Sequence, residues 1–185
     1  MKGGEAREDS VPSGAASFQE TVARLQRDHR TFRLVVKGRS PFMKAIYYGA
    51  GMFLWCPTFL TSYTTTILTW VYMPEDLLNT EEGYTVLRHE EVHIKDCLRT
   101  GVLPFVVSYL FLLPSVLTSR AYWELRAYRV TMQVEHELTG QISLDTVHFI
   151  AQRFVSSDYF WMFPFRKTIT KKLMKIRQQL LSEDQ

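Results

Sequence analysis

Cysteine is scarce in this chain of 185 residues, which contains only Cys56 and Cys97. Two cysteines cannot build the disulfide framework of a small secreted protein or a four-cysteine zinc site. An excess of charge of one sign is also lacking, because 22 basic and 19 acidic residues leave a formal net charge of +3. So small an excess does not indicate nucleic-acid binding, and no nucleic-acid partner is expected.

The amino terminus lacks the continuous apolar run of a secretory signal. Residues 1–16 are polar and rich in glycine and serine, so we expect a disordered tail there. We also expect a cytoplasmic protein, unless the chain is released or reaches a membrane by another route. The whole chain is 46% hydrophobic and 14% aromatic, which suffices for a core. Its length predicts a single domain over residues 17–185.

The spacing of apolar residues predicts a mostly helical α+β fold. Between residues 58 and 73, threonine, β-branched and aromatic residues predict two strands, at 58–63 and 66–73, in a small and mainly antiparallel sheet. Residues 156–165 are predicted to form a loop packed by aromatic side chains. Helices are predicted at 17–37, 41–50, 81–99, 102–117, 119–139, 143–155 and 167–181.

One segment has the spacing of a metal site, the H-E-x-x-H sequence from His89 to His93. Residues four apart lie one turn apart on the same face of a helix, so both imidazoles can bind one Zn²⁺ ion at about 2.0–2.1 Å. Glu90 lies beside them and is placed to take a proton from a water on the metal and to pass it to a leaving amine. The pattern therefore predicts a zinc hydrolase, with Glu90 as the catalytic base.

A catalytic zinc site usually has a third protein ligand, which we expect on a separate helix that crosses the first. Residues 120–128 place Glu124 beside the apolar stripe of the helix predicted at 119–139. The small side chain of Ala127 would let two helices approach closely. Tyr128 shares the Glu124 face and would contact the site.

The order of these residues resembles the gluzincin zinc metallopeptidases, and the short chain looks most like the minigluzincin type. In that family H-E-x-x-H is followed by a glutamate on a later helix, often in the pattern E-x-x-A. Glu124-x-x-Ala127 follows His93 after 31 residues, and the resemblance covers about residues 55–140. It does not extend to the metzincins, because the position of their third histidine is Arg99.

The resemblance implies a zinc-dependent peptidase that acts on a peptide or protein substrate. It implies that His89, His93 and Glu124 are the zinc ligands and that Glu90 is the base. It also implies that the strand at 66–73, which carries Trp70 and Tyr72, is an edge strand on which an extended peptide pairs.

Three further side chains are candidates for stabilising an oxyanion, namely Tyr128, His148 and Tyr159. For each of them, ordinary packing is the interpretation that the sequence favours. A di-iron site would need a second E-x-x-H sequence, but Gln133 stands three residues before His136. A nucleophile elbow, a Walker loop and a dinucleotide fingerprint are all missing from the sequence.

Residues 100–119 contain no charge and would just span a bilayer. Such a span would hold His93 and Glu124 about 30 Å apart, whereas zinc ligands lie within a few ångströms of one another. We therefore expect a buried helix or a membrane-dipping hairpin, interrupted by Pro104 and Pro114.

The basic helix predicted at 167–181 could also contact a membrane surface, although a basic face exposed to solvent is the simpler interpretation. The alternative function is that of a non-enzymatic membrane-associated or interaction protein with a degenerate H-E-x-x-H site. The sequence leaves the oligomeric state open.

Overall fold

The computed structural model describes residues 14–54, 58–110, 119–156 and 162–183. In these ranges the chain is mostly helical, and the predicted α+β class is confirmed. The helices are α1 (Gly14–Asp28), α2 (Pro41–Leu54), α3 (Phe59–Ser62), α4 (Glu81–Thr100), α5 (Val102–Leu110), α6 (Ser119–Thr139), α7 (Leu144–Val155) and α8 (Arg166–Glu183). The strands are β1 (Arg33–Val36), β2 (Thr65–Ile67) and β3 (Trp70–Met73).

The sheet has the strand order β1-β3-β2 and precedes α4 in the chain. β2 and β3 form an antiparallel hairpin, with Thr66 opposite Val71, while β1 pairs with β3 in parallel. The sheet is therefore mixed. The strand predicted at 66–73 is in fact most of this hairpin, which turns at Leu68, a residue with a φ of 58°. Since β3 is the central strand, the expectation that Trp70 and Tyr72 lie on an edge strand is wrong.

Two predicted elements differ from the structure. The helix expected over 17–37 ends at Asp28, and a turn in which Phe32 N–H donates to the His29 carbonyl leads into β1. Val35 and Val36 are β-branched, and pairing with β3 decides their conformation. The strand expected at 58–63 is instead the helical turn α3, in which Ser62 N–H donates to the Thr58 carbonyl at 2.8 Å.

Several predictions fall partly outside the described residues. Helix α1 is described from Gly14, inside the tail expected over 1–16, and residues 1–13 are not described. Helix α5 is described as far as Leu110, and residues 111–117 of the helix expected over 102–117 lie outside the described ranges. So do residues 157–161 of the expected aromatic loop. Among the described residues, every helix is too short or too polar to cross a membrane.

Two clusters of buried side chains form the core, and α6 contributes to both. The first lies among α6, α7 and α8 and includes Tyr128, Met132, Phe154 and Leu173. The second lies among α1, the sheet, α4 and α6 and includes Leu25, Val71, Leu87, Ile94 and Val134. Because α4 and α6 pack against each other between these clusters, their facing residues are held in fixed positions.

Helix α4 starts and ends with residues suited to those positions. The Thr80 hydroxyl accepts a hydrogen bond from Gly83 N–H at 2.9 Å, and two glutamates occupy the first turn. Gly83 is required there, because a Cβ atom would lie 1.8 Å from the Leu77 carbonyl oxygen. At the other end Gly101 has a φ of 92°, a conformation that favours glycine. These residues fix the direction in which α4 presents its side chains.

Candidate metal centre

Three side chains from two helices converge between α4 and α6. Nε2 of His89 lies 3.5 Å from Oε2 of Glu124, and Nε2 of His93 lies 3.8 Å from Oε1 of the same carboxylate. The ligand atoms of the three residues all lie within 4.8 Å of one another. Donor atoms around a tetrahedral zinc ion, at about 2.0–2.1 Å from it, are roughly 3.4 Å apart. The two His–Glu separations are close to that value, so the group can hold a metal ion.

The helical geometry explains why these residues meet. His89 and His93 lie one turn apart on α4, with ring centroids 5.1 Å apart. Glu124 lies near the start of α6. Ala127, one turn later, is fully buried, and its small side chain permits α4 and α6 to approach closely. The prediction that a separate helix brings Glu124 to the two histidines is confirmed.

Two buried carboxylates on α4 hold that helix against its neighbours. Glu91 accepts two hydrogen bonds from Arg24 of α1, at 2.6 and 2.7 Å. Asp96 accepts two from Arg126 of α6, at 3.0 and 2.9 Å. Bidentate pairs fix orientation as well as distance. Because Asp96 lies three residues from His93, its pair with Arg126 fixes the separation of α4 and α6 beside the site.

The carboxylate of Glu124 is buried and remains ionised. Its side chain is 3% exposed. Burial by itself raises the pKa of this carboxyl, but the interactions with His89, His93 and Tyr109 outweigh burial and lower the pKa to about 2. Glu124 therefore stays in the charged form that binds metal over the whole neutral range of pH.

The two histidines have opposite pKa shifts. Burial by itself lowers the pKa of His89, but the hydrogen bond and charge of Glu124, with the charge of Glu90, outweigh burial and raise it. At His93 burial dominates over the attraction of Glu124, and the pKa is lowered. His93 therefore loses its proton at a lower pH than His89, and a metal binds to the neutral form of each ring.

A threonine on α6 orients the His89 ring. The Thr131 hydroxyl lies 3.1 Å from Nδ1 of His89 and 3.5 Å from the Ala127 carbonyl oxygen. A metal-bound His89 would coordinate through Nε2, and Nδ1–H would then donate to the Thr131 oxygen. Nδ1 of His93 is buried and has no such partner among the described residues.

Tyr109 of α5 completes the surroundings of Glu124. Its hydroxyl donates a hydrogen bond to Oε1 of Glu124, and its ring lies against His93 with centroids 5.7 Å apart. Burial and the charge of Glu124 raise the pKa of Tyr109 well above its usual value, so the phenol remains a donor. Tyr109 was not among the predicted site residues. A tyrosine in a segment without charged residues indicates that its hydroxyl has a polar partner, and this could have pointed to Tyr109.

Glu90, the predicted base, is half-buried on α4. Its negative charge contributes to raising the pKa values of His89 and Tyr109. The group that can hold a metal consists of His89, His93 and Glu124, and Glu90 is not part of it.

The other candidates lie in different places. Tyr128 contacts the site as expected, with its ring centroid 4.7 Å from that of His89. His148 is exposed on α7, where it lines a groove with Arg166 and Lys167, and it does not belong to the three-residue group. Tyr159 lies outside the described residues. Trp70 and Tyr72 lie on the central strand.

The donor set fits zinc, since two imidazoles and one carboxylate with an open position are a known catalytic zinc set. Imidazole and carboxylate also accept other divalent metals, so the donor atoms alone do not identify the ion. No family model, curated protein or solved structure matches this chain, and the case for function therefore depends on the site itself.

Proposed function

We propose that this protein is a zinc-dependent metallopeptidase of gluzincin type. The observation that carries the proposal is the convergence of His89, His93 and Glu124 on one buried point between two helices. The H-E-x-x-H sequence also supplies Glu90, which directly follows His89. A glutamate at this position is suited to act as a base, whereas three metal ligands alone would offer none.

The roles of the side chains follow from their positions. His89, His93 and Glu124 would hold the ion, which when bound supplies a Lewis acid that lowers the pKa of water and polarises a carbonyl. Glu90 accepts a proton from the attacking water and delivers it to the amine that leaves the cleaved bond. Tyr109 and Thr131 orient Glu124 and His89, and Tyr128 packs against the His89 ring.

For an extended substrate, we assign the main-chain pairing to β2 rather than to β3. Both sides of β3 are paired, whereas β2 pairs with β3 on one side and also contacts α4. The peptide would pair with the other side of Thr65–Ile67, which pairs with no strand among the described residues.

Zinc content and peptide hydrolysis together test the proposal. The purified chain is expected to bind about one zinc ion, and His89→Ala, His93→Ala and Glu124→Ala are each expected to lower the affinity at least tenfold. Glu90→Gln should retain the metal and lose cleavage of a peptide library. His148→Ala is the matched control, because His148 is exposed and lies on another helix.

Two outcomes would contradict this assignment. Zinc binding that survives both histidine substitutions would remove the metal site. Peptide cleavage that survives Glu90→Gln would remove Glu90 from the mechanism. Circular dichroism of each variant establishes that the loss is not one of folding.

A non-enzymatic metal site is the second candidate, and the burial of the ligands favours it. The side chains of His89 and His93 are 13% and 9% exposed, and Tyr109 occupies one oxygen of Glu124. Closed sites of this kind stabilise folds rather than bind substrates. Zinc binding and thermal stabilisation by zinc, without cleavage of any library peptide, would support this candidate over the peptidase.

A further inference from the structure

An apolar face of the molecule lies on the outer side of α5. Val102, Leu103 and Val107 are 47%, 73% and 36% exposed, and Leu98 at the end of α4 is 52% exposed. The inner side of the same helix is occupied, since Phe105 packs on Trp123 and Tyr109 contacts Glu124. We name Leu98, Val102, Leu103 and Val107 the outer α5 face. Adjacent exposed aliphatic side chains of this kind mark interaction surfaces.

The charged groups next to this face are cationic at the surface. Lys95 and Arg99 have side chains that are 61% and 63% exposed. The acidic residues close to them, Glu91 and Asp96, are 5% and 2% exposed. Glu91 pairs with Lys95, Arg24 and Arg88, and Asp96 pairs with Arg99 and Arg126, so the basic groups outnumber the two buried carboxylates. A net positive charge therefore remains at the rim of the face.

We propose that the outer α5 face docks on an anionic lipid surface. An apolar patch with a basic rim is suited to the boundary between acyl chains and negatively charged headgroups. The nine described residues of α5 extend about 14 Å, whereas the hydrocarbon core measures about 30 Å, so this part of the chain is suited to lying at the lipid surface.

A second copy of the chain is a less suitable occupant. Each partner in a standard protein interface contributes about 800 Å². Four partly exposed aliphatic side chains provide well under that area, and the basic rims of two copies would repel each other. The lipid surface accommodates both the small area and the sign of the charge.

Vesicle co-sedimentation of the full chain tests the proposal without reference to metal or catalysis. We expect binding to vesicles of phosphatidylcholine with 30% phosphatidylserine, a composition chosen here as the probe, and much weaker binding to phosphatidylcholine alone. Leu103→Asp combined with Val107→Asp should weaken partition by about tenfold or more, since two apolar anchors are replaced by charges that lipid repels. Lys95→Gln with Arg99→Gln should weaken binding to the anionic vesicles alone.

The control is Leu144→Asp on α7, because Leu144 is 51% exposed and lies on a different helix. It should bind vesicles as the unmodified chain does, and thermal melts should show that all variants fold. Unchanged binding by the double aspartate variant would overturn the proposal. The proposal would also be overturned if Lys167→Gln combined with Lys171→Gln abolished vesicle binding while the α5 variants still bound. That result would assign the lipid contact to α8. If the unmodified chain dimerised with increasing concentration, did not bind vesicles, and lost dimerisation in Leu103→Asp, the outer α5 face would be assigned to contact with a second copy.

Discussion

Thr131 is the hydrogen-bond partner of Nδ1 of His89. Its oxygen lies 3.1 Å from Nδ1 and 3.5 Å from the Ala127 carbonyl oxygen. Thr131→Val keeps the shape of the side chain and removes the acceptor. We expect the zinc affinity, measured by competition with a chromophoric chelator, to fall about tenfold. Thr139→Val, which removes an exposed hydroxyl at the end of α6, is the control and should leave the affinity unchanged.

Tyr109 is expected to orient Glu124 rather than to bind the metal. Tyr109→Phe removes the donor to Oε1 and leaves the ring against His93. A buried carboxylate that loses one hydrogen bond is less firmly held, so the zinc affinity should fall severalfold. Tyr122→Phe, at a tyrosine 52% exposed on α6, provides the comparison. Equal affinities of the two variants would show that Tyr109 has no orienting role.

The residues that can hold a metal could be predicted from sequence, whereas the residues that contact and orient them could not. His89, Glu90 and His93 have a spacing that is meaningful within a single helix. Glu124 was found from its placement beside an apolar stripe and from a family resemblance. Contacts of Tyr109 and Thr131 depend on how α5 and α6 cross α4, and a local pattern contains no information about that crossing.

At the level of elements, Glu91 links α4 to α1 in a pH-dependent way. Burial alone would raise its pKa, but Arg24 and Lys95 outweigh burial and lower the pKa to about 2. The ordinary value is near 4.5, so the stabilisation is complete above pH 4.5 and is lost as the pH falls from there through 2.

Glu91→Gln should therefore reduce the free energy of unfolding at pH 7 by about 1–2 kcal/mol, a value that allows for solvent screening of the partly exposed Arg24 and Lys95. Chemical denaturation at pH 7 and at pH 2.5 measures the change, and the difference from the unmodified chain should shrink at the lower pH. Glu20→Gln, at an exposed position on α1, should show no comparable loss. A loss of unfolding free energy in Glu91→Gln that is the same at both pH values would contradict the explanation by ionic pairing.

The first turn of α4 depends on a residue without a side chain. In Gly83→Ala the added Cβ would lie 1.8 Å from a backbone oxygen, which cannot move as a flexible side chain can. We expect a loss of about 2 kcal/mol or more in thermal or denaturant unfolding. Gly49→Ala on α2 is the matched substitution, since nothing lies within 4 Å of its added Cβ, and it should be neutral or slightly stabilising.

Sequence predicted the long helices well and the sheet only in part. Helix α6 ends at its predicted residue, and α4 has its predicted start and differs by one residue at its end, because strong periodicity and the residues that follow each helix define them. β1 was assigned to a helix, since the apolar spacing of residues 32–36 suits both structures. Its partner β3 lies more than thirty residues away, and only that pairing selects the strand.

At the level of the whole molecule, metal binding should stabilise the fold as well as the site. The ligands come from α4 and α6, which together border both core clusters. Zinc at about 100 times its dissociation constant would add about 2.7 kcal/mol. For a chain of this length that corresponds to a rise of roughly 5–10 °C in Tm.

Differential scanning calorimetry with zinc and with a chelator measures this shift. His93→Ala should abolish most of the rise, whereas His148→Ala should retain it. An equal rise in both variants would mean that zinc stabilises the chain somewhere other than between α4 and α6.

The sharing of α6 between two cores has a consequence for how this protein can change over generations. Met132 and Val134 anchor the helix to opposite clusters whatever residue stands at position 124. A single substitution at Glu124 would thus remove the candidate metal site while the fold persists in a descendant. Such a descendant could be retained for another function that needs only the fold.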